Sequence, residues 1–482
     1  MIASSSVGIK SFGAYVPRRR MPRALIAAAH AWALPALKSL AKGEKSFCGW
    51  DEDAITMAVE AGRDCLRGST ATKPIAALTF ASTTAPYADL QNAAIIGAAL
   101  RLPESRSSID MSGSVRAGLS ALGSALQEAG RGDQLVIAAD RRTGKPGSVQ
   151  ELHYGSGAAA LWIGQGDDVI ATFLGRESAV LPFIDHFRQS GEKFDYHWEE
   201  RWIRDEGVSK IVPRTVMSLL KRLDIAADRV DHFALAGGPA GSDKLIAKAL
   251  SIASERLLPD FHSEVGDTGA AHPLLQLTAA LERAIAGDIV VVASFSQGCE
   301  VLAFQVRQPV ASSPNHGLQA ALSRRIEESA YLKMLSFNGE IDMEWGMRSE
   351  TDNKTALTQL YRVADQILGF VGGKCQTCNT VQFPRFPACV NCGMPGWQLP
   401  YPLADEPAKV ATYTADWLQY SPSPPLYMGL VQFDSGARVL MEIVDVGPAG
   451  LDVDTPLTMT FRIKERDRQR HYDRYFWKAV PF

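Results

Sequence analysis

The chain has 482 residues, 46% hydrophobic and 21% charged, with a formal net charge of −3. That length accommodates several domains and at least one large core, while the near-neutral charge offers no general attraction to nucleic acid or to an anionic membrane. No apolar run reaches the roughly 18 residues of a membrane span.

The opening "MIASSSVGIKSFGAYVP" reads as a strand and not as a leader peptide. Arg18, Arg19 and Arg20 follow as a basic loop that suits either a phosphate or plain solvent. An amphipathic helix comes next in "DEDAITMAVEAGRDCL", with Cys48 and Cys65 beside or in it as packing residues. "ASTTAPY" then brings Thr83 and Tyr87. A strand end at Ile109 and Met111 runs into Ser112, Gly113 and Ser114, and a helix begins near Val115, with Leu119, Leu122 and Leu126 at helical spacing. Small polar residues before a helix cap it, and the free N–H groups behind them suit an anion or a nucleophile. No cysteine stands there.

Two segments match without gaps at an offset of 155 positions: "LSALGSALQEAGRGDQLVIAA" (119–139) and "LLQLTAALERAIAGDIVVVAS" (274–294). Each reads as a helix, a tight turn around Gly-Asp and a fully buried strand, which belongs inside a covered sheet. The repeat predicts two similar α/β halves, 1–165 and 166–310. The helix start at Ser112–Arg116 then corresponds to "GDTGA" (266–270), and two helix N-termini in matching places can stabilise an oxyanion between them.

Duplicated halves, a helix beginning at a nucleophile's position and a "GDT" loop resemble the thiolase superfamily. The likeness is nearest to archaeal-type hydroxymethylglutaryl-CoA synthases and type III ketoacyl-ACP synthases. "GAYVPRRR", "GEKSFCGWDEDAITMAVEAGRDCL", "GAALRLP", "GEKFDYHWEERW" and "GDTGAAHPLLQLTAALERA" carry it, across about residues 7–306. The resemblance implies a layered, duplicated thiolase-like α/β fold, an acyl-CoA or acyl-carrier substrate and a homodimer formed through this domain. It places the family cysteine at Val115, the glutamate near Thr83, the histidine at Gly237 and the asparagine at Asp267, so none of those side chains is kept. A shift of one residue puts Ser114 in the seat. Thiolase-like aldolases of steroid side-chain breakdown also work without an acyl-cysteine, beside a partner carrying a zinc ribbon and an OB fold.

"RQPVASSPNHG" reads as a linker, and residues 311–370 as linker plus connecting helices. "KCQTCNTVQFPRFPACVNCG" then holds Cys375, Cys378, Cys389 and Cys392 as two CxxC pairs separated by ten residues. That spacing is the signature of a closed structural zinc site, a ribbon over 371–395. Four clustered cysteines point to metal binding in a reducing compartment, hence the cytoplasm, and not to a disulfide framework. Short alternating stretches through 396–482 read as a small OB-type β-barrel. Its segment "RIKERDRQRHYDRYFW" mixes bases with aromatics, but its acids dilute the charge and argue against nucleic acid.

Several side chains are candidates for chemistry. His272, at the start of the second-half helix, is the first candidate by position for a general acid–base, or else a structural histidine. Asp267 can orient a base, take a proton or simply cap the helix. Tyr154 and Tyr87 can give a proton to an alkoxide or form the wall. His153 and His197 rank below them. Cys299, after "FSQG", is the one thiol near this chemistry, as a substitute nucleophile or a buried packing residue. Three functions stay open: non-covalent aldol or retro-aldol chemistry on a CoA thioester, acyl transfer through Ser114 or Cys299, and a non-catalytic acyl-CoA-binding partner of an active thiolase-like protein.

Overall fold

The computed structural model describes residues 6–67, 74–310, 313–345, 356–396, 398–467 and 469–482. It divides into two compact units: Met1–Cys48, Asp53–Ala94 and Pro103–Met334 form the first, and Gly49–Glu52, Ile95–Leu102 and Leu335–Phe482 the second.

The first unit is built on one nine-stranded sheet. Its strands are β1 (Val7–Tyr15), β2 (Ile75–Ala81), β3 (Ser107–Met111), β4 (Asp133–Arg141), β5 (Ser156–Gln165), β6 (Ala171–Val180), β7 (His232–Ala236), β8 (Ile289–Phe295) and β9 (Gly298–Val306). Their order is β7-β8-β9-β6-β1-β5-β4-β2-β3. The two halves repeat one pattern: β2 and β4 pair parallel and β4 and β5 antiparallel, as β7 and β8 pair parallel and β8 and β9 antiparallel. They join where β1 meets β6 at Gly8–Thr172 and Ile9–Ala171.

Five helices cover the sheet: α1 (Ala54–Arg67), α2 (Ala117–Glu128), α3 (Ser209–Arg222), α4 (Ser242–Leu250) and α5 (His272–Leu281). Helix α1 is started by a reciprocal cap, in which Thr56 N donates to Asp53 Oδ1 and Asp53 N to Thr56 Oγ1, both at 2.8 Å. It lies on β1, β4 and β5, and α3 lies on β6 and β9. Helices α2 and α5 pack on each other between the halves. Every residue of α5 is buried, as a helix apolar on all sides must be. The observed starts, Ala117 and His272, are separated by the offset read from the repeat.

Two expectations change in detail. Helix α2 begins at Ala117, with Arg116 as its cap residue and no side-chain cap, so Ser112–Ser114 form a turn before it. The stretch after 312 is not a free linker. Gly317 N donates to Asp64 Oδ2 at 2.9 Å, Leu318 N to Glu282, and the His316 ring stacks on Phe12, which fixes 313–334 to the first unit. The second unit resumes at Leu335.

In the second unit, β10 (Val371–Lys374), β11 (Val381–Gln382) and β12 (Leu399–Pro402) form a three-stranded sheet. Strands β13 (Ala408–Asp416), β14 (Leu426–Phe433), β15 (Arg438–Ile443), β16 (Pro456–Asp467) and β17 (Tyr472–Pro481) close a barrel in the order β13-β14-β15-β17-β16. Closure leaves no free edge. Two cations lie inside this unit: Lys478, 2.9 Å from Asp51 and 2.6 Å from Glu442, and Arg462, paired with Glu52 and, at 2.8 Å, with Asp445. Their side chains are 1% and 2% exposed, so each needs its counter-charge.

Candidate active site

The carboxyl end of β4, the loop after β2 and the turn before α5 meet at Asp140. This carboxylate is fully buried and accepts from Ser82 Oγ, from the peptide N–H and hydroxyl of both Thr83 and Thr84, and from Ala270 N, at 2.7–3.0 Å. The turn also touches α2. A Cβ on Gly118 would fall 2.0 Å from the Ala270 carbonyl, so only glycine permits this approach of the two helix starts.

Beside Asp140, Arg142 lies with its guanidinium carbon 3.5 Å from the Tyr154 ring centre. It donates to Asp267 and, at 2.9 Å, to Asp195. Tyr154 donates its phenol proton to Asp195 Oδ2 at 2.9 Å, and the phenol oxygen also contacts His197 Nε2. Asp195 and His197 come from a short hairpin pairing Tyr196–His197 with His186–Phe187. His197 stacks on His186, which pairs with Asp185 at 3.0 Å. Arg188 of the same hairpin reaches the Thr83 carbonyl.

Burial raises the cost of charge at Asp267, but Arg142, with His272 and His262 nearby, holds it well below the usual carboxylate range. Burial, His186 and Arg142 push His197 down to about 4, so it is neutral near pH 7. Burial pushes the Tyr154 phenol well above its usual value. The cluster therefore holds carboxylates on one guanidinium and a neutral Tyr–His pair in contact at the phenol oxygen.

The other expected residues lie as follows. His272 is 2% exposed and both ring nitrogens are committed: Nε2–H donates to the Asp260 carbonyl at 2.9 Å, and Nδ1 faces Thr268 N and Oγ1 at 3.3 Å. Burial and His262 push it down to about 4. Its ring is held on both sides, which favours the structural reading of this histidine over the acid–base one. Burial and nearby Arg23 likewise push His153 down to about 4. Cys299 lies in the core between β9 and α3, fully buried, its thiol pushed up to about 12 by burial and Glu300. This favours the packing alternative for Cys299 over the nucleophile. Cys48 and Cys65 are buried too. Val115 and Ser114 are half-buried in the turn before α2, and Ser114 Oγ has Arg116 N at 3.4 Å. No histidine contact to Ser114 occurs among the described residues. Gly237 ends β7 at φ 83°, where a Cβ would strike the Phe295 carbonyl at 2.2 Å. Tyr87 is half-buried, its peptide N–H 3.3 Å from Asn92 Oδ1. Of the basic loop, Arg20 is buried and Arg19 pairs with Glu328 at 3.4 Å.

No family model matches the chain. It is similar to the hydroxymethylglutaryl-CoA synthase of Methanopyrus kandleri, 32% identical over 311 residues, which are 63% of this chain and 88% of that relative. The chain belongs to the hydroxymethylglutaryl-CoA synthase family. The synthase of Thermococcus onnurineus is 29% identical over 306 residues, 62% of this chain and 86% of its own. Among solved structures, the Curacin pathway HMG synthase with apo donor-ACP aligns over 70% of this chain and 89% of its own at a TM-score of 0.61, with 18% identity. MvaS in complex with 3-hydroxy-3-methylglutaryl coenzyme A aligns over 69% and 92% at 0.59, also with 18% identity. These two show the fold.

This family member adds a second feature. The four ribbon sulfurs all lie within 4.8 Å of one another, with Cys375–Cys392 at 3.8 Å and Cys378–Cys389 at 3.6 Å. A tetrahedral site with Zn–S near 2.3 Å needs sulfurs about 3.8 Å apart, so the donor set fits that ion. The two knuckles are built alike. Thr377 N faces Cys375 Sγ and Asn391 N faces Cys389 Sγ, both at 3.4 Å. Asn379 and Gly393, each four residues past its first cysteine, take positive φ. Among the described residues no helix is long and apolar enough to cross a membrane.

Proposed function

We propose that the protein makes or breaks a carbon–carbon bond in a CoA thioester without forming an acyl-enzyme. One observation supports this reading: the cysteines outside the ribbon are all buried, the resemblance puts Val115 where the family cysteine would stand, and Arg142, Tyr154, Asp195, His197 and Asp267 form one connected polar cluster in the same unit. Valine has no proton to lose and no lone pair to give, so the step left to this site is one that needs polarisation and proton movement.

In the cleavage direction, the β-hydroxyl proton passes to the Tyr154 oxygen while the phenol's own proton moves to the neutral His197 Nε2. The Cα–Cβ bond breaks, its electron pair enters the thioester as an enolate, and Cβ leaves as a carbonyl. The proton returns to Cα, so atoms and electrons balance without a co-reactant. Asp267 is held too acidic to be a good base, so its part is to fix Arg142, and with it the Tyr154 ring. The converging starts of α2 and α5 supply helix dipoles that favour the enolate oxygen. The ribbon would hold a structural Zn2+ on Cys375, Cys378, Cys389 and Cys392, a closed set with no position for substrate. The likeness to the family also supports a homodimer through the first unit.

Intact mass after incubation with acyl-CoAs, followed by a β-hydroxyacyl-CoA cleavage assay, tests the reading. No mass gain with cleavage supports it. An acyl adduct mapped to Ser114 would make the protein an acyltransferase. Binding of CoA thioesters with no turnover of any would make it a scaffold.

A further inference from the structure

The cluster behind Asp267 carries a charge imbalance that the proposed reaction does not use. Four carboxylates, Asp140, Asp185, Asp195 and Asp267, are connected by hydrogen bonds and ion pairs to only two guanidiniums, Arg142 and Arg188. Counting these four carboxylates and two guanidiniums alone, the formal charge is −2. Both cations are already engaged. Arg142 is shared between Asp267 and Asp195, and Arg188 lies 3.5 Å from Asp195 while donating to the Thr83 carbonyl. Asp140 is satisfied by neutral donors alone, those of residues 82–84 and Ala270. The carboxylate most open to solvent is Asp267, with 25% of its side chain exposed against 15% for Asp195 and 9% for Asp185.

We propose that this site selects CoA thioesters whose acyl chain ends without a negative charge. The inference rests on the reading that the site takes a CoA thioester, and it names which ones. A carboxylate-ended chain, such as the 3-hydroxy-3-methylglutaryl group, would arrive beside Asp267 with no uncommitted cation in the cluster to receive it. It would have to displace Asp195 or Asp267 from Arg142 and leave that carboxylate partly buried and unpaired. A neutral chain disturbs neither pair. Like charge placed against an incoming group is how a site rejects a competitor of the same shape.

Calorimetric titration of the full-length protein with 3-methylglutaryl-CoA and with its monoamide tests this. The two have one size and differ in the terminal charge, and neither carries the 3-hydroxyl that cleavage needs. The monoamide is expected to bind at least tenfold more tightly to the wild type. Asp267→Asn, which removes the most exposed carboxylate and frees one face of Arg142, narrows that ratio toward one. Equal affinities, or tighter binding of the carboxylate, overturn the inference and leave the proposed reaction standing. Selectivity in binding without cleavage of any β-hydroxyacyl-CoA sinks the reaction and leaves the inference standing. Binding of neither analogue overturns both.

Discussion

The ribbon and the Asp267 cluster are both polar assemblies, but they are put together in opposite ways. The ribbon takes its four sulfurs from 18 consecutive residues, two copies of one knuckle. Each knuckle is closed by its own backbone, Cys375 N on Thr380 O and Cys389 N on Met394 O. The Asp267 cluster draws Arg142 and Tyr154 from either end of the β4–β5 connection, Asp195 and His197 from a hairpin, and Asp267 from the turn before α5. Losing one ligand of a closed local set removes what holds that segment together. Losing one member of a dispersed set leaves a rigid scaffold and removes one function. The difference separates groups that hold the chain from groups that the chain holds.

The largest expected effect breaks the local set. Cys375→Ser or Cys389→Ser should abolish zinc retention and expose residues 371–396 to protease, because structural zinc ligation contributes on the order of 10 kcal/mol. Metal content by atomic absorption and limited proteolysis read this directly. In the dispersed set, Tyr154→Phe should lower β-hydroxyacyl-CoA cleavage by about 100-fold or more, the usual size of a lost proton-transfer group. The melting temperature should change little. A variant that unfolds in step with its lost activity would place Tyr154 with the structural groups instead.

His272 sharpens the comparison through pH. Its folded value, about 4, lies below the ordinary 6.5, so the unfolded chain takes up a proton that the native ring refuses. The stability it confers is complete above pH 6.5 and is lost as pH falls toward 4, by about 2.5 kcal/mol at pH 4.5. Urea midpoints at pH 7.5 and 4.5 should therefore converge in His272→Gln relative to wild type. The smallest effect belongs to Cys299→Ala. Turnover should be unchanged, and stability should fall by about 1 kcal/mol, as for a small buried truncation.

How much of this the chain disclosed in advance follows from the same contrast. The repeat placed the starts of α2 and α5 in register, because helix spacing and Gly-Asp turns are local signals. The CxxC pairs and the alternating barrel strands were readable for the same reason. Arg142, Asp140 and Asp195 carry no local signal, and His197 carries little. Each gains its meaning from a partner remote in sequence, Arg142 from Asp267 at 125 positions and Tyr154 from His197 at 43. One clue was present: "FDYHW" alternates polar and aromatic residues, so Asp195 and His197 share one face of the hairpin and Tyr196 takes the other. A histidine after a GDT loop suits either catalysis or structure from its position alone, and only its neighbours at 260 and 268, which face both nitrogens, favour the second.

The discontinuity of the second unit bears on how such a chain can be inherited. Asp51 and Glu52, the counter-charges of Lys478 and Arg462, are encoded more than 380 codons upstream of the barrel strands that carry those cations. A gene fragment beginning at Leu335 would translate a barrel whose two buried cations keep Glu442 and Asp445 but lose Asp51 and Glu52. Recombination at that point would pass the barrel on with half of each buried charge pairing missing. The upstream acids and the downstream bases must travel together, and a substitution in "GWDE" is answerable to the C-terminal end of the message.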